Sequence, residues 1–355
     1  MRRPPNTITV DPPPLPVKEI HTPEGMGLLS NPPEINAEEA EQQGYRELKN
    51  LLPIRLHPYI DAFAADLEEI VVMIDEPVTF RIKGKEWHTP WLFSEPDWYY
   101  LSTKLGEIRS NGRVGIEGTL HRISVRRDRN DLAYGATIRI GRAIAGVAEA
   151  LRPYLTEAAG SILVVGAPGT GKTTLLRDIV RIVADIYGRR CVVVDSSSEI
   201  GGEGRKPHIM LRKASRLAVP DPRRQPEKML EAVANHSAQV VVVDELAWKE
   251  DAQVVEIIAG KGVRLIATVH GSDLREAIMN PAYSPITGVV KDLIRRTLVT
   301  EKPPVFKLGV EAYALGRIRL YTDLAETIEQ ILAGQPVSFY DINLQTGESR
   351  YVRNQ

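Results

Sequence analysis

Two hydrophobic patterns divide the chain. Between residues 151 and 320, apolar runs of strand length recur at Ile162–Val165, Val192–Val194, Val240–Val243 and Leu265–Ala267. Helical stretches separate them at Lys172–Ile186, Glu227–Asn235 and Asp251–Gly260. Strands apolar on both faces, alternating with helices, predict a parallel sheet covered on both sides. Thr297–Thr300 and Val305–Val310 read as strands of a mixed edge. Residues 45–150 follow another rhythm, that of a small α+β domain. Helical spacing runs over Tyr59–Ile70, and β-prone runs follow at Ile70–Ile74, Val78–Ile82, Arg113–Ile116, Leu120–Val125 and Ala136–Ile140. Ser94 and Asp97 have capping-box spacing and open a helix through Leu105. Residues 321–355 predict a helix at Leu324–Leu332 ended by Gly334, then a hairpin of Val337–Ile342 and Ser349–Val352 around Thr346-Gly347.

Residues 1–44 stand apart. Nine of the 25 prolines fall within residues 1–34, a stretch poor in backbone donors that cannot form helix or inner strand. It is a disordered tail, or an extended arm laid on a neighbouring subunit through Ile8, Val10, Leu15 and Val17. With 355 residues, 43% hydrophobic, the chain can bury a sizeable core. The formal charge of -1 argues against a generally basic nucleic-acid coat, not against a local basic site. One cysteine, Cys191, excludes a disulfide framework and suits a reducing compartment. No apolar run approaches the roughly 20 residues of a membrane helix, and Met1-Arg2-Arg3-Pro4-Pro5 does not open a signal peptide. The expectation is a cytoplasmic protein with no direct membrane insertion.

Chemistry enters at Gly166-Ala167-Pro168-Gly169-Thr170-Gly171-Lys172-Thr173, which fits G-x-x-x-x-G-K-[ST] between a predicted strand and an amphipathic helix. Glycines let such a loop turn its N–H groups toward phosphate oxygens, and the helix adds its positive N-terminal end. Gly166, Pro168, Gly169, Thr170, Gly171, Lys172, Thr173 and Thr174 are therefore the candidate nucleotide site. Lys172 is placed for the β- and γ-phosphates and the Thr173 hydroxyl for Mg²⁺. The expected cofactors are ATP and Mg²⁺. Downstream, Val240–Val243 runs into Asp244-Glu245, acids at the C-terminal end of a buried strand, where ligands bind in parallel sheets. Asp244 is the second metal candidate, through water, and Glu245 the base for the attacking water. The last core strand ends at His270, which either touches the γ-phosphate or is structural. Asp195 to Gly202 follow a neighbouring strand tip, and their acids either share the ion and the water or cap a solvated turn.

A polymer site has weaker support. Residues 201–224 hold seven basic residues against two acidic ones, among them Arg212, Lys213 and Arg216, the nucleic-acid candidates. A second basic stretch is Arg122, Arg126, Arg127 and Arg129. Either can follow a phosphate backbone, or form a solvated face or intersubunit salt bridges. Few aromatics interleave with them.

The stretch Gly118–Ser124, with Ile138–Arg142, resembles two related families: the P-loop ATPase of cyanobacteria and chloroplast genomes, and stage III sporulation protein AA. Asp195–Gly202, Val240–Leu246, Leu265–Gly271, Pro303–Phe306 and Asp323–Gly334 continue the match in order, over roughly residues 45–335. Both families are similar to type II and type IV secretion and pilus-retraction ATPases. The resemblance implies a RecA-like P-loop NTPase core, α/β with a parallel sheet, behind a small α+β N-terminal domain. It implies homo-hexameric rings with nucleotide between subunits. In those motors the acidic box falls on Asp195–Glu199 here, the Walker B glutamate on Glu245 and the histidine box on His270. Arginines that complete a neighbour's site fall by position on Arg139, Arg122 and Arg113. Two departures stand out. Asp244 stands where the secretion motors usually carry glycine, and residues 321–355 read as a helix and hairpin, not as the single-stranded nucleic-acid domain that chloroplast and cyanobacterial members often carry. The resulting expectation is a Mg²⁺-dependent ATP-hydrolysing ring acting on nucleic acid. The rivals are an assembly motor docking on a membrane protein complex and a slow, nucleotide-gated structural ring.

Overall fold

The computed structural model describes residues 37–106, 108, 112–156, 159–294 and 296–353. The proline-rich run therefore lies outside the described residues. Helix Ala37–Leu51 begins inside the segment assigned to the arm, and its Leu48 and Tyr45 are buried. The helix expected over Tyr59–Ile70 is shorter, His57–Phe63. The β-branched run Ile70-Val71-Val72 is pulled into a sheet instead, a case of tertiary pairing overriding local period.

That sheet has six antiparallel strands: β1 (Leu67–Met73), β2 (Pro77–Ile82), β3 (Lys85–Leu92), β4 (Arg113–Gly115), β5 (Arg122–Arg127) and β6 (Ala133–Arg139), in the order β3-β2-β1-β6-β5-β4. One face buries Ile70, Val72, Val78, Phe80, Ile123 and Ile138 beneath the helices Ala37–Leu51, His57–Phe63 and Glu95–Ser102. Ser94 opens the last of these, its N–H donating to Asp97 Oδ2 at 2.8 Å. The other face carries Glu69, Arg139 and Arg122 in one row across three strands.

The second sheet has nine strands. Six are parallel: β7 (Ile162–Gly166), β8 (Cys191–Asp195), β9 (Ser215–Ala218), β10 (Val240–Val243), β11 (Arg264–His270) and, after a separate two-stranded ribbon of β12 (Val289–Lys291) and β13 (Leu298–Thr300), β14 (Leu308–Ala314). Then β15 (Arg317–Tyr321), β16 (Ser338–Asn343) and β17 (Ser349–Arg353) add an antiparallel edge, giving the order β17-β16-β15-β14-β7-β11-β10-β8-β9. Successive residues of each inner strand enter opposite cores. Val164, Val193, Val242 and Ile266 meet the helix Lys172–Tyr187. Val165, Val194, Val243 and Ala267 share a cluster with Met229, Val255, Ile258 and Ile328 of the helices on the other side. This is the α/β P-loop core expected from the apolar runs. The expected strand at Thr297–Thr300 pairs in the ribbon, not with the main sheet. Two strands carried no apolar signal: β9 hides within the basic segment, and β15 alternates Arg317, Arg319 with buried Ile318, Leu320.

Candidate nucleotide site

Parallel strands open their C-terminal ends to one side, and the chemistry gathers there. Gly166 closes β7, and a Cβ on it would lie 2.4 Å from the Ala312 carbonyl oxygen, so no side chain fits. Gly171, with φ of 91°, sits in the left-handed region that glycine adopts freely, directly before the helix Lys172–Tyr187. The loop wraps the Lys172 ammonium: Nζ donates to the carbonyls of Gly166 and, at 3.0 Å, Ala167. Burial lowers the Lys172 pKa, and the charges of Glu245 and Asp244 oppose that shift.

Across the loop stands a set of acids. Asp244 and Glu245 follow β10, Ser197 and Glu199 follow β8, and His270 ends β11. With Lys172, Thr173 and Thr268 they line one cavity of about 490 Å³. Thr173 Oγ1 donates to Glu199 Oε2 at 3.4 Å, and His270 Nε2 lies 3.0 Å from Glu245 Oε1. Asp244 is buried, with the Ser197 hydroxyl on Oδ2 and the Thr268 hydroxyl on its carbonyl. Burial, with the nearby charge of Asp195, pushes the Asp244 carboxyl up to about 7. So much negative charge in one low-dielectric pocket suits a divalent cation. Among the described residues no three His, Cys, Asp or Glu side chains make a cage alone. Mg²⁺ needs none, because it takes one or two carboxylates and completes its shell with hydroxyl, phosphate and water oxygens. The Thr173 hydroxyl, Asp244 and Glu199 are the oxygens that fit it.

The structure separates the two acids at the end of β8 and in the loop that follows it. Asp195 turns back, accepting from Gly201 N at 2.8 Å and Ile200 N at 3.4 Å, so it shapes the loop. Glu199 faces Thr173. Two arginines hold Glu199: Arg122 of β5 pairs with its carboxylate, and buried Arg177 grips its main-chain carbonyl through Nη2 (2.6 Å) and Nε (3.2 Å). Arg177 Nη1 also donates to the Arg142 carbonyl at 3.2 Å. Arg177 was missed in the sequence, although it follows Thr173 by one helical turn and so shares its face. Of the arginines expected to serve a neighbour, Arg122 sits at this chain's own site. Arg139 is 66% exposed, with Glu69 at 3.4 Å, and Arg113 is exposed.

The six-stranded sheet is latched to the same loop. Glu117 Oε1 accepts from Arg205 N (2.6 Å) and Lys206 N (2.9 Å), and the main chains of Glu117 and Glu203 pair in a single parallel β-bridge. The nucleic-acid candidates do not line the nucleotide cavity. Arg212 Nε pairs with Asp185 at 2.6 Å, the Arg216 guanidinium donates to the carbonyls of Gly202 and Gly204, and Lys213 is half-buried.

Comparison with known proteins follows the same lines. The family described as "Sporulation stage III, protein AA" matches residues 101–308. The chain is 37% identical to the protein SEEDLING PLASTID DEVELOPMENT 1 of Arabidopsis thaliana, over 70% of this chain and 39% of that protein. It is 35% identical to the uncharacterized protein ycf45 of Porphyra purpurea, over 76% of this chain and 50% of that protein. The chain thus spans 39% and 50% of the length of these two relatives. Among solved structures, the pilus retraction motor PilT with bound ADP superposes with a TM-score of 0.55 at 14% identity, over 79% of this chain and 86% of that one. That likeness concerns the fold.

Proposed function

Because the chain belongs to the sporulation stage III protein AA family, we propose that it hydrolyses ATP with Mg²⁺ in the cavity between the phosphate loop and the acids of β8 and β10. The observation that carries this reading is the facing of Lys172 and Thr173 by Glu199, Asp244, Glu245 and His270 around one cavity. The loop N–H groups and the helix N-terminus hold the phosphates. Lys172 exchanges its two carbonyl partners for phosphate oxygens and carries charge that develops on the γ-phosphate. Glu245 orients and deprotonates the attacking water, and His270 steadies Glu245 through their 3.0 Å contact. The Thr173 hydroxyl, Asp244 and Glu199 would hold Mg²⁺, which would supply neutralisation of phosphate charge. Asp244 stays in place through Ser197 and Thr268. Catalysis of this kind rests on positioning and fixed charge.

Turnover is measured on the purified chain with Lys172→Ala and Glu245→Gln. The expected loss is on the order of a hundredfold or more for each, with Glu245→Gln retaining ATP and both variants keeping the wild-type melting profile. Rapid hydrolysis by either one overturns the reading.

A homo-hexameric ring in the cytoplasm, with nucleotide between subunits, belongs to the same proposal and is supported by the exposed Arg139 beside the site. What the ring acts on is a separate question. The charge of residues 201–224 supports a nucleic acid. The internal engagement of Arg212 and Arg216 supports a protein-assembly motor that docks on a membrane protein complex. Among the described residues no helix is long and apolar enough to cross a membrane. ATPase stimulation by DNA or RNA that fades with salt decides for nucleic acid, and indifference to every polymer decides for the assembly motor.

A further inference from the structure

We infer that Leu315 is the platform for the base of the bound nucleotide, an inference that rests on the nucleotide reading above. Leu315 tips the hairpin between β14 and β15. Turn tips favour glycine and polar residues, yet this one presents a leucine that is 77% exposed. The placement follows from strand pairing. β14 runs parallel to β7, with Glu311 opposite Val165, so its continuation passes the end of β7 where the phosphate loop begins. At Gly171 an added Cβ would come 3.4 Å from Leu315 Cδ1.

The tip is fastened. Gly316, with φ of 73°, turns the chain, and its carbonyl accepts from Leu344 N at 2.8 Å. At the root, Tyr313 OH donates to Asp341 Oδ1 at 2.9 Å and accepts from Arg317 Nε at 3.0 Å. Leu315 is thus held at the rim of the phosphate cavity and, among the described residues, is the one large apolar side chain in its lining. The phosphate groups of a nucleotide account for the cations and hydroxyls of that lining, and its base is the part that wants an apolar face. A leucine offers no donor or acceptor, so it supports a purine without choosing between adenine and guanine.

The test is calorimetric titration of the full chain with ADP and with pyrophosphate, both with Mg²⁺, so that no hydrolysis intervenes. Leu315→Ser should weaken ADP about tenfold, as expected for losing burial of most of a leucine side chain, and leave pyrophosphate within about twofold. Leu315→Met should restore ADP. Equal weakening of both ligands overturns the inference, because the tip then only props the loop, and so does unchanged ADP binding. A wild-type chain that binds neither ligand overturns the nucleotide reading itself, before any variant is made.

Discussion

The nine-stranded and six-stranded sheets supply the site in opposite ways. In the parallel sheet the functional groups gather at strand ends: Gly166 and His270 close β7 and β11, and Asp244 and Glu245 directly follow β10. In the antiparallel sheet the contributing groups lie on or before a strand, on the face away from the core. Arg122 reaches Glu199 from the first position of β5, and Glu117 reaches the following loop from the turn before it. The difference reflects packing. A sheet buried on both faces leaves only its ends free for chemistry, whereas a sheet covered on one face can spend the other on a neighbour.

The sharpest way to break that comparison is to place one charge on each sheet. Val193 is fully buried in β8, among parallel neighbours on both sides. Val193→Asp strands an unpaired carboxylate there, at a cost comparable to the whole stability of a domain, roughly 5–15 kcal/mol. The expected outcome is insoluble or unfolded chain. Trp87 of β3 is 54% exposed at the margin of the covered face, its ring centroid 6.1 Å from that of Phe63, and Trp87→Asp should cost only about 1–2 kcal/mol and melt within roughly 10 °C of wild type. Circular-dichroism melts of both variants check the contrast, and a folded Val193→Asp chain contradicts it.

The same contrast explains what was legible beforehand. Four apolar runs and one glycine-rich loop announced the parallel core, because burial on both faces leaves an unbroken hydrophobic record. The positions of the phosphate loop, Asp244, Glu245 and His270 were readable because they sit at predictable offsets from those runs, whereas the choice between Asp195 and Glu199 needed the loop geometry. Strand β9 was not, since an edge strand inside a basic segment needs few apolar residues. Arg177 was hidden because its partners are main-chain carbonyls of Glu199 and Arg142, which no side-chain pattern encodes. Leu315 gave no signal, since its placement depends on the pairing of β14 with β7. A charge count over 201–224 likewise does not reveal that Arg212 pairs with Asp185 or that Arg216 donates to the carbonyls of Gly202 and Gly204.

A smaller effect separates the two regions by pH. Burial holds the His121 imidazole beside the six-stranded sheet and the His208 imidazole beside the nine-stranded sheet near 4. The unfolded chain takes up these protons below about 6.5, so each histidine withdraws on the order of 3 kcal/mol as pH falls from there toward 4. Asp244 acts in the other direction. Its carboxyl, raised from 3.8 to about 7, costs stability as pH rises through that window, on the order of 4 kcal/mol at the top of it. The opposed slopes flatten the wild-type profile between pH 4 and 7. Asp244→Asn should raise the melting temperature at pH 8 without Mg²⁺ or nucleotide, and expose a steep loss below pH 6. A variant profile parallel to wild type contradicts the assignment.

The finest test concerns the row that joins the sheets. Arg122 and Arg139 are register partners on β5 and β6, yet they are used differently. Arg122 is committed to Glu199 of its own chain, whereas Arg139 points outward beside a small cavity of about 240 Å³ that also touches Thr173. In a ring, an arginine that serves its own subunit cannot be replaced by a neighbour's, and one that serves the next subunit can. Subunits carrying Lys172→Ala supply intact arginines but no working phosphate loop. Mixed with Arg122→Gln subunits they should recover no ATPase activity, because no site then has both groups from one chain. Mixed with Arg139→Gln subunits they should recover part of it, because interfaces of the correct order join an intact loop to an intact Arg139. Recovery with Arg122→Gln would move that residue to the neighbour's site and make its contact with Glu199 a resting arrangement.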